Sequence, residues 1–330
     1  MEIKPMSISV LDSISPVDGE VVSGLLEKER KDFNRKILLT KEHMFAIIRE
    51  KGGEHELERR NVIFHIDVNS AFLSWEAVYR LHHLGGKEDL REKVSAVGGD
   101  MAMRHGIILA KSIPAKKFHI KTGETILEAK QKCPELILVP PNYGLYEKCS
   151  KAFMDILRRY SPTVEQYSID EAFVDMTGTE GLWGDAVTAA YRMKDQIRDT
   201  LGFTVNIGIS ENKLLAKMAS DFEKPNKVHT LFPEEIREKM WPLPIRELYM
   251  AGSSSVRTLE KLEVRTIGDL ARMDPAIVEL HLKSHGRKLW EFANGIDDSL
   301  VEAEPTELRG SAIRSLSPGT PGRKKNLPGA

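Results

Sequence analysis

Apolar positions along this chain fall into two periods, one of strands and one of helices. Val62-Ile63-Phe64-His65-Ile66 is a short β-branched run that ends on an acid, Asp67. Tyr167-Ser168-Ile169-Asp170-Glu171-Ala172-Phe173-Val174-Asp175 has the same character, with acids placed where a strand would turn back. A third strand is predicted from Thr204 to Ile209. Helical spacing governs the stretch near Tyr146 to Tyr160, and again near Asp185 to Leu201, where Gly202 marks the stop. A further helix carries Lys213 and Lys217 on one face and Leu214, Leu215, Met218 and Phe222 on the other, with Ser210 as its expected N-cap. The region from about Ser70 to Pro134 reads as irregular helix and loop. Beyond about Phe232 the chain reads as short helices around Leu259, Leu262, Val264, Ile267 and Leu270. Ahead of the first strand, roughly Val21 to Glu50 is amphipathic, and Gly52-Gly53 breaks it.

Strand, helix, acidic hairpin, helix and strand in that order predict an α+β fold, a ferredoxin-like sheet with helices on one side. If the two acid-ended strands lie side by side, Asp67, Asp170 and Glu171 share a cleft. Three carboxylates repel and partly protonate unless hard cations neutralise them. The natural occupants are divalent ions with oxygen ligands, magnesium above all, and a site with two Mg2+ ions suits phosphoryl or nucleotidyl transfer. Consecutive strand residues face opposite ways, so Asp170 and Glu171 can share a site only at a hairpin tip or bulge. Taken singly, Asp170-Glu171 reads better as an exposed turn and Asp67 as a strand-end cap; it is their combination that favours the metal site.

Four blocks in order resemble the Y-family DNA polymerases, the translesion enzymes of the DNA polymerase IV type. They are His65-Ile66-Asp67-Val68-Asn69-Ser70-Ala71-Phe72, then Tyr167 to Asp175, then Gly208 to Asp221 followed by Lys224-Pro225-Asn226. The fourth is Pro244-Ile245-Arg246-Glu247-Leu248-Tyr249, leading to Thr266-Ile267-Gly268-Asp269-Leu270-Ala271. The resemblance runs from about Asn61 to about Pro305. It implies a polymerase palm over 61–232, small fingers inserted at about 70–139, and a helical thumb with a helix-hairpin-helix over 233–304. It also implies an N-terminal helical extension over 1–60 and a disordered truncated tail over 305–330. The implied activity is template-directed DNA polymerase chemistry on deoxynucleoside triphosphates and primer-template DNA, in damage bypass.

On that resemblance Asp67, Asp170 and Glu171 bind the metals, with the Val68 carbonyl as a further ligand. Phe72 matches the steric gate that excludes a 2′-hydroxyl, although a buried helix phenylalanine is the plain alternative. Lys217 matches a phosphate-binding lysine, and Lys213 is a second candidate. Ile113 and Lys116 stand where the family has a tyrosine and an arginine; lysine keeps the charge without the bidentate fork. Gly252 is what remains of a Gly-x-Gly turn that approaches the DNA backbone, Met250 standing at the first glycine. Asn69 replaces an acid found in many relatives and is not counted as a ligand. Relatives continue into a little-finger domain, whose start a one-nucleotide shift over Ala312 to Thr320 would resemble; a frameshift that removed it is expected. A sliding-clamp site would lie beyond that point. Low processivity is therefore expected, and a non-catalytic remnant that grips DNA poorly is the alternative.

Composition adds constraints. A net charge of −1 argues against strong non-specific DNA affinity, though not against a basic groove. The two cysteines, Cys133 and Cys149, lack ligand spacing and point to a reducing, cytoplasmic setting with neither a disulfide framework nor a zinc site. No apolar run reaches membrane-spanning length.

Overall fold

Strand β1 (Ile63–Val68) is six consecutive buried residues, the signature of a strand covered on both faces. In the computed structural model, which describes residues 60–99 and 106–303, it is the centre of the larger sheet. The other strands are β2 (Ser95–Gly98), β3 (Ile108–Lys111), β4 (Ile137–Val139), β5 (Val164–Gln166), β6 (Glu171–Asp175), β7 (Val205–Ser210) and β8 (Val228–Thr230). The large sheet runs β5-β6-β1-β7-β8, with β1 antiparallel to both neighbours and β8 parallel to β7. Helix Tyr143–Tyr160 connects β1 toward β5, and helix Ala186–Leu201 connects β6 to β7. Strands β1, β5, β6 and β7 thereby make the ferredoxin-like split βαβ, with β8 added at one edge.

Pleating divides β1 between two layers. Phe64, Ile66 and Val68 join Ala172, Val174, Val205, Ile207 and Ile209 in one core with Phe153, Leu157, Met193 and Ile197 of the two long helices. Helix Ala71–His83 adds Leu73 and Trp75 to the same core. The expectation of helices on one side is corrected here. Helix Lys213–Ser220 lies on the opposite face, where Ile63, Phe173 and Ala216 cluster. Gly208 admits it: a Cβ there would stand 2.0 Å from the Ala216 carbonyl oxygen and 2.4 Å from the Ser220 nitrogen. The predicted N-cap is also corrected. Asn212, not Ser210, caps this helix, its Oδ1 accepting from the Leu215 N–H at 2.9 Å. The Ser210 hydroxyl instead donates to the Leu231 carbonyl.

The stretch predicted as irregular holds a second, three-stranded sheet, β3-β2-β4, with helices Ile113–Lys116 and Ile126–Lys132. Its own core contains Ala96, Ile108, Ile120, Ile126, Cys133 and Leu136, and Thr125 with Glu128 forms a capping box. After β8 come helices Ser253–Lys261, Ile267–Arg272 and Pro275–Ala293, whose core includes Met240, Leu259, Ile267, Leu270, Val278 and Leu289. Leu214, Leu215, Met218 and Ala219 belong to that core too. Helix Lys213–Ser220 is therefore clamped between the sheet and the helical module. The chain then returns over its N-terminus, where the Leu214 N–H donates to Asp297 Oδ2 at 3.2 Å and Asn212 Nδ2 to the Gly295 carbonyl at 2.9 Å. The predicted leader helix and tail lie outside the described residues, apart from Arg60, which pairs with Glu211 and Glu234. Among the described residues no helix is long and apolar enough to cross a membrane.

Candidate active site

The acids predicted from sequence meet at the end of β1. Asp67 lies directly opposite Glu171 in the β1–β6 ladder, and the Val68 N–H donates to the Asp170 carbonyl at 3.0 Å. Asp170 closes the β5–β6 turn and Glu171 opens β6, so the hairpin end does bring adjacent acids to one edge. Ser168 Oγ donates to Asp170 Oδ1 at 2.7 Å and fixes that carboxylate.

Two lysines stand among the acids. Lys217 Nζ donates to Glu171 Oε2 at 2.8 Å, and Lys224 Nζ pairs with both Asp67 and Asp221. Burial opposes ionisation of Glu171, but its polar neighbours, the His65 ring 3.8 Å away and the hydrogen-bonded Lys217 ammonium, outweigh it and hold the carboxyl below the ordinary carboxylate range. Asp67 goes the other way. Burial pushes it up to about 6, and the Lys224 ammonium offsets only part of this while Glu171 and Asp170 add repulsion. Asp170 is likewise raised, by burial first and then by Glu171, against the Ser168 hydrogen bond. Burial works against the Lys224 charge, yet Asp67 and Asp221 hold its ammonium above the ordinary range.

His65 lies two residues before Asp67 and so faces the same way. The Ser220 hydroxyl donates to the Lys217 carbonyl at 2.8 Å. His65 Nδ1, 2.8 Å from that hydroxyl oxygen, must therefore be the donor. This leaves Nε2 as an acceptor facing Lys217 Nζ at 3.4 Å. Burial lowers the His65 pKa, which matches a neutral ring.

Among the described residues no three His, Cys, Asp or Glu side chains already converge as a metal cluster. The donor set nevertheless fits hard cations. All three groups are oxygen acids, two are pushed toward protonation by burial and by one another, and ammonium groups supply the positive charge that the cleft requires.

The other candidates are dispersed. Phe72, half-buried in the first turn after β1, stacks on Tyr146 with ring centroids 4.5 Å apart. Lys213 donates to both oxygens of Glu165 at 2.7 Å and to the Leu300 carbonyl at 3.3 Å, so its ammonium faces a different acid. Lys116 ends the short helix of the second sheet and is exposed, as is Ile113. Gly252 is the N-cap residue of helix Ser253–Lys261 with φ −66°, a value open to any residue. The left-handed turn position is Met250, at φ 64°. Asn69 Oδ1 accepts from the Asn226 N–H at 2.9 Å and from Thr204 Oγ1 at 3.0 Å, a tie between segments. Asp175 caps the Thr177 N–H at 2.9 Å. Sequence reasoning missed His65 and Lys224; the i, i+2 spacing to Asp67 signalled the first, and only the fold places the second.

Residues 66–221 match the family model described as the impB/mucB/samB family. The chain is 49% identical over 249 residues to DNA polymerase IV of Clostridium acetobutylicum, an alignment covering 75% of this chain and 62% of that protein. It is 39% identical to DNA polymerase IV of Acetivibrio thermocellus, covering 76% and 61%. The chain thus spans about three fifths of the length of these curated relatives. Among solved structures, DinB from Sulfolobus solfataricus superposes with TM-score 0.65 at 26% identity, covering 73% of this chain and 69% of that one. An insertion ternary complex of Dbh DNA polymerase gives 0.64 at 27%, with coverage of 73% and 69%. By matched domain, relatives and fold, residues 66–221 form a domain of the Y-family of DNA polymerases.

Proposed function

We propose that this chain catalyses template-directed transfer of a deoxynucleotide from its triphosphate to a primer 3′-hydroxyl, as a damage-bypass DNA polymerase core. The observation that carries the reading is Asp67 set opposite Glu171 in adjacent strands with Asp170 at the hairpin end. Asp67, Asp170 and Glu171, with the Val68 carbonyl, would hold two Mg2+ ions. When bound, magnesium supplies the charge that acidifies the primer hydroxyl and neutralises the leaving pyrophosphate. Lys224, beside Asp67, is placed to take a phosphate oxygen of the incoming nucleotide, and Lys217 to hold Glu171 in orientation. Phe72 would lie under the sugar and exclude a 2′-hydroxyl. Lys116 and the turn at Gly252 are assigned secondary contacts, with triphosphate and DNA backbone respectively. Lys213 is assigned to fastening the returning segment at Leu300 rather than to the nucleotide.

In this reading the large sheet and its helices are the palm (61–232), the second sheet belongs to fingers inserted at about 70–139, and the helical module is the thumb (233–304). Single-nucleotide primer extension at low salt with magnesium tests it. Templated addition by the protein, lost in Asp170→Ala/Glu171→Ala, is the expected result. No addition at excess protein would reject it and favour a non-catalytic role.

A further inference from the structure

We infer that Tyr249 is a positioning residue for Glu171, acting through Lys217. The inference rests on Glu171 being a metal ligand, as proposed above. Lys217 Nζ is enclosed from four sides. Glu171 Oε2 lies at 2.8 Å, His65 Nε2 at 3.4 Å, and the ring centroids of Tyr167 and Tyr249 at 4.9 and 5.6 Å. The two tyrosine hydroxyls bond each other and close the ring of contacts. An ammonium flanked by two π faces and a carboxylate is attracted by each and has little room to rotate.

The two tyrosines come from different layers. Tyr167 belongs to the catalytic turn: its N–H donates to the Glu171 carbonyl at 3.0 Å, and its ring meets Phe173 edge-on at 5.5 Å. Tyr249 belongs to the helical module. Its ring stacks on Phe292 at 5.9 Å and an interplanar angle of 28°, and its N–H donates to Met218 Sδ at 3.3 Å. Lys217 itself stands on the helix wedged between sheet and module. Hairpin, helix and module therefore meet at one ammonium, and that ammonium holds one oxygen of Glu171. Oε1 is left without a protein partner among the described residues, available to a cation. If the module shifts, Tyr249 moves with Phe292, the cage opens, and Lys217 is free to leave or overrun Glu171. Outer partners that orient a ligating carboxylate set its metal affinity by about ten- to a hundredfold.

The test is Mn2+ binding read directly as loss of the free-ion EPR signal, independent of catalysis. In the full chain Tyr249→Leu is expected to weaken Mn2+ about tenfold, and Tyr249→Phe, which keeps the ring but not the hydroxyl bond, about threefold. In a Lys217→Met background the Tyr249→Leu effect should fall below about twofold, because the intermediary is gone. The same factor in both backgrounds, or no effect in either, overturns the inference. So does unaltered Mn2+ binding in Asp170→Ala/Glu171→Ala, which would remove Glu171 from the ligand set. Should Tyr249→Leu fail to fold, Tyr249→Phe in the two backgrounds carries the same comparison. A wild-type chain that binds Mn2+ through the acids yet adds no nucleotide would sink the polymerase reading alone, since the coupling is still measured.

Discussion

Gly208→Ala is a single-methyl perturbation at the seam between sheet and helix. The glycine's φ lies outside the left-handed region, so alanine's backbone is acceptable and the whole effect is steric. An added Cβ would stand 2.0 Å from the Ala216 carbonyl oxygen, 2.4 Å from the Ser220 nitrogen and 2.9 Å from Ala219 Cβ. Relief to ordinary contact near ~3.5 Å requires the helix to retreat by roughly 1.5 Å. Two of the obstacles are backbone, so no rotamer change helps. Nor can the helix retreat freely, because Leu215 and Ala219 are fully buried in the helical module behind it. Overpacking of this kind costs about 1–3 kcal/mol and more where backbone blocks relief. We expect about 3 kcal/mol or above, after an offset of about 0.4–1 kcal/mol from the stiffer unfolded chain.

Urea denaturation followed by circular dichroism reads this directly. With a slope of about 3 kcal/mol/M, the midpoint should fall by about 1 M. Gly181→Ala is the control: it lies in the Glu180–Trp183 helix with no atom within 4 Å of its Cβ, and should be neutral or slightly stabilising. A Gly208→Ala midpoint within about 0.3 M of wild type, at unchanged slope, would refute the claim that close strand–helix approach fixes Lys217 beside Glu171.

Lys224→Ala should raise KM for the incoming nucleotide by about tenfold or more, with partial recovery in Lys224→Arg, the loss expected for a charge-assisted contact; steady-state extension kinetics would show it, and an unchanged KM would remove the lysine from nucleotide binding. Phe72→Ala should admit ribonucleotides, raising their relative incorporation by about 10²-fold if the ring is a barrier; unchanged discrimination would return Phe72 to core packing on Tyr146. Burial pushes the Cys149 thiol up to about 12, so at pH 8 only about one molecule in 10⁴ carries its thiolate, and in a Cys133→Ala variant, where Cys149 is the remaining thiol, the native protein should react with Ellman's reagent about 10³-fold more slowly than when unfolded. Asp89 is held below the ordinary carboxylate range: burial opposes this, and the Arg91 side chain and N–H prevail. A depressed folded pKa contributes stability that is present above about pH 4 and lost as pH falls further. Asp89→Asn should therefore lower stability at pH 7 and converge on wild type at acid pH, by denaturation at both; a constant difference would contradict the assignment.

The strands were legible because β1, β6 and β7 are long enough to display their apolar runs, and the hairpin because adjacent acids have no other way to share an edge. The second sheet was not, since strands of three or four residues show no period that loops lack. The expected N-cap at Ser210 failed because β7 runs on through Ser210 and the helix starts only at Lys213, which puts Asn212 at the cap.

The lysines show most clearly where sequence stops. Four residues apart, Lys213 and Lys217 share a helix face, and spacing alone does not distinguish them; only the resemblance ranked Lys217 ahead of Lys213. That separation is a rise of about 6 Å along the helix. Two residues along β6, from Glu171 to Phe173, span about 6.6 Å, and Phe173 lies opposite Glu165 on β5. The helix therefore matches two successive acid positions on the sheet face, and each lysine meets one: Lys217 at Glu171, Lys213 at Glu165. Only the first acid belongs to the cleft. Which lysine serves the site is thus decided by the register of β5 on β6 and by the seat of the helix on Gly208. A mutation that slid that helix by one turn in the right direction would bring Lys213 to Glu171 and carry Lys217 past the cleft, without altering either lysine.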